Sequence, residues 1–161
     1  MGVKIMVFAV LLVIQFSVLP RIGNGFFEPD LLLATVIILG MLRSGEAACL
    51  AGFALGLLSD VNAGLIIGCN AFAWTQVGMA SNVLSNHLVV DTPVVQTAVT
   101  GFSCLIAGCF QIVFYRLTAV NEPLARLLLL TLSRAFVTAL IAWPLSRLML
   151  RIGLIPETRH A

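Results

Sequence analysis

The sequence predicts an all-α fold, a polytopic membrane bundle of about six transmembrane helices that forms one domain over residues 1–161. Three observations carry that expectation. Hydrophobic residues make up 60% of the chain and charged residues only 10%, against roughly 25% charged in ordinary soluble domains. Mean hydropathy is +1.09. The apolar residues fall in runs separated by short polar links. A span needs about 20 mainly apolar residues, so the length allows five or six. No polar stretch approaches the ~50 residues of a separate soluble domain.

Lys4 precedes the first apolar run, and Pro20 and Arg21 close it. A cleavable signal needs a small-x-small site after its apolar core. Ser17-Val18-Leu19-Pro20 offers none, so an uncleaved helix over 3–19 is expected, followed by a Gly23-Asn24-Gly25 turn. Glu28-Pro29-Asp30 opens the second helix (28–42). Proline at a first helical position loses no hydrogen bond, and carboxylates suit the positive end of the helix dipole. Only Arg43-Ser44-Gly45-Glu46 separates this helix from the third (45–58), so the two are antiparallel neighbours. Both are short: twelve to fifteen residues reach about 18–22 Å against a ~30 Å hydrocarbon core. Full spans, a locally thinned bilayer and a re-entrant pair all fit such lengths.

Ser59-Asp60-Val61-Asn62 reads as a break with capping residues before a long fourth helix (63–84). Residues 86–93 form a polar link, and 94–115 is the clearest span. After Asn121-Glu122-Pro123 the last helix (124–150) carries Arg126, Arg134, Pro144 and Arg147. Six spans put both termini on one side. Lys4, Arg43, Arg151 and Arg159 then stand against Arg21 and Arg116, a bias that places both termini in the cytoplasm.

A net charge of +2 with scattered basic residues argues against nucleic acid as a partner. Cys49, Cys69, Cys104 and Cys109 lie in apolar segments without a C-x-x-C pair, and read as buried small hydrophobes. No metal or cofactor is expected. Zinc-helix, nucleophile-turn and P-loop motifs are absent from the sequence. His87 and Asp91 sit in a polar link, and an intramembrane aspartyl peptidase needs two facing carboxylates where only Asp60 is suitably placed. A non-enzymatic protein is expected.

Ala48, Gly52, Gly56 and Asp60 recur every four residues, and Gly64 and Gly68 repeat the spacing in the expected fourth helix. Such small-residue stripes drive helix association in lipid. They serve either packing within the bundle or reception of a partner's helix. A carboxylate at the bilayer centre costs about 2.5–3.5 kcal/mol. Asp60 is therefore read as a cap for the start of the next helix, as a polar anchor within the bundle, or as part of a proton or solute path, with Asn70, Gln76 or Asn82 as partners. Arg134 is the arginine of the last helix expected to be buried, with Asp60 and Asp30 as candidate partners.

Pro29-Asp30-Leu31-Leu32, Arg43-Ser44-Gly45, the segment 52–60 (GFALGLLSD) and the segment 64–71 (GLIIGCNA) together resemble the rod shape-determining protein MreD family in order and spacing. The matched positions are Pro29, Asp30, Gly52, Gly56, Asp60, Gly64, Gly68 and Asn70. The resemblance implies an inner-membrane subunit of the bacterial elongation machinery that binds the single-span protein MreC. Through MreC it implies coupling to the actin-like MreB filament and to the RodA polymerase with its transpeptidase partner. It also implies a fold similar to the substrate-binding subunits of energy-coupling-factor vitamin transporters. The competing expectation is a solute-binding transporter subunit using Asn70 and Gln76. Those subunits dock through small residues four apart in the first helix, and here Ala9 is followed by Val13.

Overall fold

The computed structural model describes residues 2–18, 21, 29–63, 67–87, 92–117 and 123–151. Among them the chain forms α1 (Gly2–Val13, running on into a π-helical stretch Ile14–Val18), α2 (Leu31–Leu42), α3 (Gly45–Ala63), α4 (Cys69–His87), α5 (Pro93–Leu117) and α6 (Leu124–Arg151). There is no strand among the described residues. The all-helical expectation holds.

Several boundaries differ from the sequence reading. Pro29 precedes α2 instead of opening it, because Asp30 is the N-cap and its Oδ1 accepts the Leu33 N–H at 3.0 Å. The third helix does not stop at residue 58. Asn62 turns its side-chain amide back to the Leu58 carbonyl at 3.1 Å, and α3 continues to Ala63. The fourth helix starts at Cys69, not at 63, and runs to His87. Gly64, the Gly23-Asn24-Gly25 turn and the Asn121-Glu122 link lie outside the described residues.

Neighbouring helices pair antiparallel. Gly78 of α4 packs on Ala48 of α3, and Gly56 of α3 on Ala71 of α4. In the second hairpin Gly101 faces Ala139 and Gly108 faces Thr131. Helix α2 sits in the middle. Ten of its twelve residues are buried. Leu32, Leu33, Val36 and Ile37 join Trp74, Val77 and Cys104 in one cluster. Leu31, Ala34 and Ile38 pack with Leu11, Leu145 and Met149 in another. A helix enclosed on every side shows no polar stripe, and α2 is apolar but for Thr35, whose hydroxyl donates back to the Leu31 carbonyl. At 1.5 Å per residue it is about 18 Å long, and its shortness creates little mismatch because it meets protein and not lipid. The other short candidate, α3, is lengthened by its last turn to 19 residues.

Among the described residues two helices are long and apolar enough to cross a membrane, α5 and the part of α6 from Leu124 to Met149. The bundle's outside is apolar as well: Leu50, Phe53 and Val61 of α3 and Leu132, Phe136 and Leu140 of α6 are all exposed. In water such surface would be an aggregation hazard; against acyl chains it is a matched solvent.

Candidate functional site

The small residues come together inside the bundle. A Cβ placed on Gly52 would lie 2.5 Å from the Trp74 carbonyl oxygen, and one on Gly56 would lie 2.5 Å from the Ala71 Cα. One on Gly78 would lie 2.8 Å from the Ala48 carbonyl oxygen, and one on Gly40 would lie 2.6 Å from the Gly78 carbonyl oxygen. The obstacles are mostly backbone atoms, so glycine at these points sets how closely α2, α3 and α4 approach. Of the two uses open to the stripe, packing within the bundle accounts for Ala48, Gly52 and Gly56, all buried. The opposite face of α3, with Leu50 at 73% exposure, is the one turned outward.

Asp60 closes the end of that seam. It is 2% exposed and sits in the last turn of α3. Its Oδ2 accepts the N–H groups of Gly68 (2.8 Å) and Ala71 (3.2 Å), and its Oδ1 accepts that of Asn70 (3.0 Å). The first N–H groups of a helix have no partner within it and attract negative charge. Asp60 thus caps α4 from the preceding helix. Gly68 makes the turn possible: its φ of +103° is a backbone conformation that side-chain-bearing residues rarely adopt. It is therefore a turn residue, not the helical small-residue position expected.

The start of α2 is held by three side chains from three places. Asp30 caps the Leu33 N–H, Gln15 at the end of α1 accepts the Leu31 N–H at 2.8 Å, and Thr138 of α6 accepts the Asp30 N–H at 3.0 Å. At its other end Asn82 of α4 donates to the carbonyls of Gly40 (2.9 Å) and Arg43 (3.3 Å). A helix start enclosed by protein must have its orphan groups satisfied, and these contacts let α2 begin within the bundle, while its other end reaches the exposed Arg43 and Ser44. Alongside, Gln111 of α5 donates its amide to Asn70 Oδ1. Arg134 lines a cleft with Asp30, Gln111 and Thr131. Of the two carboxylates considered for Arg134, Asp30 is the one whose cleft it shares, while both Asp60 oxygens serve the start of α4.

The family model for the rod shape-determining protein MreD matches residues 1–152. The chain belongs to the MreD family. Membership makes it a membrane protein with a role in rod shape determination, and the apolar exterior and long apolar α5 and α6 agree with that setting. No curated protein and no solved structure matches the chain.

Set against this MreD-family bundle, other expectations change. Asn70 and Gln76 do not share a site: Asn70 bonds inward to Gln111, while Gln76 is exposed. Asn82 serves α2 and not Asp60. Arg134 is exposed instead of buried, a long side chain at the mouth of the cleft it lines. Cys69 and Cys104 are buried as expected, Cys49 is half-buried with its thiol near the Thr75 carbonyl, and Cys109 is exposed on the outside of α5. Gln15 and Thr138 were missed. Their signal was faint: a single amide in an otherwise apolar first run, and one small hydroxyl within a leucine-rich helix.

Proposed function

We propose that the chain is a non-enzymatic inner-membrane scaffold of the bacterial elongation machinery. It binds a single-span MreC-type protein and through it couples to MreB filaments, the RodA polymerase and the transpeptidase, so organising lateral peptidoglycan synthesis. The family match over residues 1–152 carries this reading. The geometry supports it in one respect. The glycine seam and the capped central helix give a closed bundle whose outward faces, such as Leu50, Phe53 and Val61 on α3, are free to meet another helix in the membrane. In this reading Pro29, Asp30, Ala48, Gly52, Gly56, Asp60, Gly68 and Asn70 shape the bundle and act on the partner through its fold. The chain crosses the membrane six times as a single domain, with both termini in the cytoplasm.

Depletion in a rod-shaped host tests the reading. Cells are expected to widen and round as the protein is diluted out, and re-expression is expected to restore the rod. Unchanged cell width after complete depletion would sink the proposal.

A further inference from the structure

We propose that the cleft between α2, α5 and α6 is a built water-binding site, which hydrates the Asp30 carboxylate deep in the bundle. The cleft has a volume of about 30 Å³ and is lined by Asp30, Gln111, Thr131, Arg134 and Thr138, with Cys104 in its wall. A water needs roughly 10–15 Å³ and two to four polar partners, so the space takes about two molecules and the walls supply their contacts. Gln111 donates one amide proton to Asn70 and keeps its carbonyl oxygen as an acceptor. Thr131 supplies a hydroxyl donor, and Asp30 supplies its carboxylate oxygens, one of which also holds the Leu33 N–H.

A second hollow in the same bundle sets the contrast. The groove on the outer face of α5, along Phe102, Leu105, Ile106, Cys109 and Phe110, has about 320 Å³ but almost no polar wall. It is the larger space and the dry one, since water enters a cavity for its hydrogen bonds and not for its size.

The position of the polar cleft gives its water a task. Asp30 is bonded to Thr138, which stands near the middle of the 28-residue α6, about 20 Å from the helix start. Charged groups at such depth in a membrane bundle face protein or water-filled space. Water in the cleft joins Asp30 to Gln111, and Gln111 continues the chain to Asn70 at the start of α4, where Asp60 is bound. One hydrated polar layer then ties α2, α4, α5 and α6 in register. This inference stands independently of the partner proposed above.

X-ray radiolytic footprinting of the full chain in lipid nanodiscs tests it, because hydroxyl radicals are made from water where it sits and oxidise the nearest sulfur. Cys104 is expected to be oxidised several-fold faster than Cys109, although Cys109 is exposed and Cys104 is buried, and several-fold faster than Met41, a buried sulfur in the dry core. The Thr131→Val variant, which keeps the side-chain shape and removes a polar wall, is expected to bring the Cys104 rate down toward that of Met41. Oxidation of Cys104 no faster than that of Met41 or Cys109 in the parent protein overturns the proposal. So does a Cys104 rate that Thr131→Val leaves unchanged.

Discussion

Replacing Asp60 by alanine removes the acceptor for three backbone N–H groups at once, those of Gly68, Asn70 and Ala71. Losing an ordinary helix cap costs about 1 kcal/mol. Hydrogen bonds to a charged group contribute about 1.5–3 kcal/mol each, and three together would exceed the cap figure severalfold. They share one carboxylate, and the freed N–H groups recover part of the loss wherever water reaches the Gly68 turn. The expected cost is therefore about 2–4 kcal/mol, between the single cap and the full sum. For a chain of this length that corresponds to a fall of roughly 4–16 °C in Tm. The assay is thermal unfolding of the full chain in nanodiscs, followed through tryptophan emission in a Trp143→Phe background, which leaves Trp74, 1% exposed and packed on Gly52 in the seam. Asp60→Asn is expected to fall between wild type and Asp60→Ala, since one carbonyl oxygen remains while an amide group now faces the N–H donors. Val61→Ala, the next residue and exposed, serves as the control. A Tm for Asp60→Ala within about 1 °C of wild type would refute the account of Asp60 as the cap of α4.

Three further outcomes follow from the same geometry. Gly56→Leu forces a side chain against the Ala71 backbone, and overpacking of this kind costs about 1–3 kcal/mol or more; size-exclusion profiles are expected to show loss of the folded species, whereas Leu50→Ala on the exposed face elutes like wild type. Gly68→Ala meets open space but must hold a φ of +103°, so a drop of about 1–2 kcal/mol is expected in unfolding measurements, and no drop would mean that the turn relaxes freely. The pair Asn70→Ala and Gln111→Leu in a double-mutant cycle is expected to show a coupling of about 0.6 kcal/mol, the average for hydrogen bonds between membrane helices; additive effects would mean that the contact carries no stability.

The fold class was legible because composition and apolar runs report on the solvent a chain was built for. Asp30 was legible as a helix start because its capping contact is local, three residues ahead. Asp60 was half legible. Its role as a cap could be inferred, but its partners lie eight to eleven residues on, beyond the turn, and the preceding helix absorbs the polar Ser59-Asp60-Val61-Asn62 segment without breaking. The spacing of Gly52 and Gly56 showed that some backbone would come close, but which backbone depends on how α3 folds back on α4. Gln15, Thr138 and Asn82 were out of reach for a related reason. Each satisfies an end of α2 from another helix, and the need arises only because α2 is buried among the other helices. For Arg134 the sequence offered both Asp30 and Asp60; that it shares a cleft with Asp30 follows from the placement of α2 against α6, which sequence spacing does not encode.

The central claim, that this MreD-family bundle works as a scaffold for a single-span partner, is tested most directly by co-purification. The tagged full chain, solubilised from membranes of its rod-shaped host in a mild detergent, is expected to retain the MreC-type protein through affinity and size-exclusion steps, and Leu50→Ala or Phe53→Ala is expected to weaken that retention while leaving the bundle folded. Recovery of a folded chain that restores rod shape in depleted cells, yet never carries the MreC-type protein with it, would contradict the account.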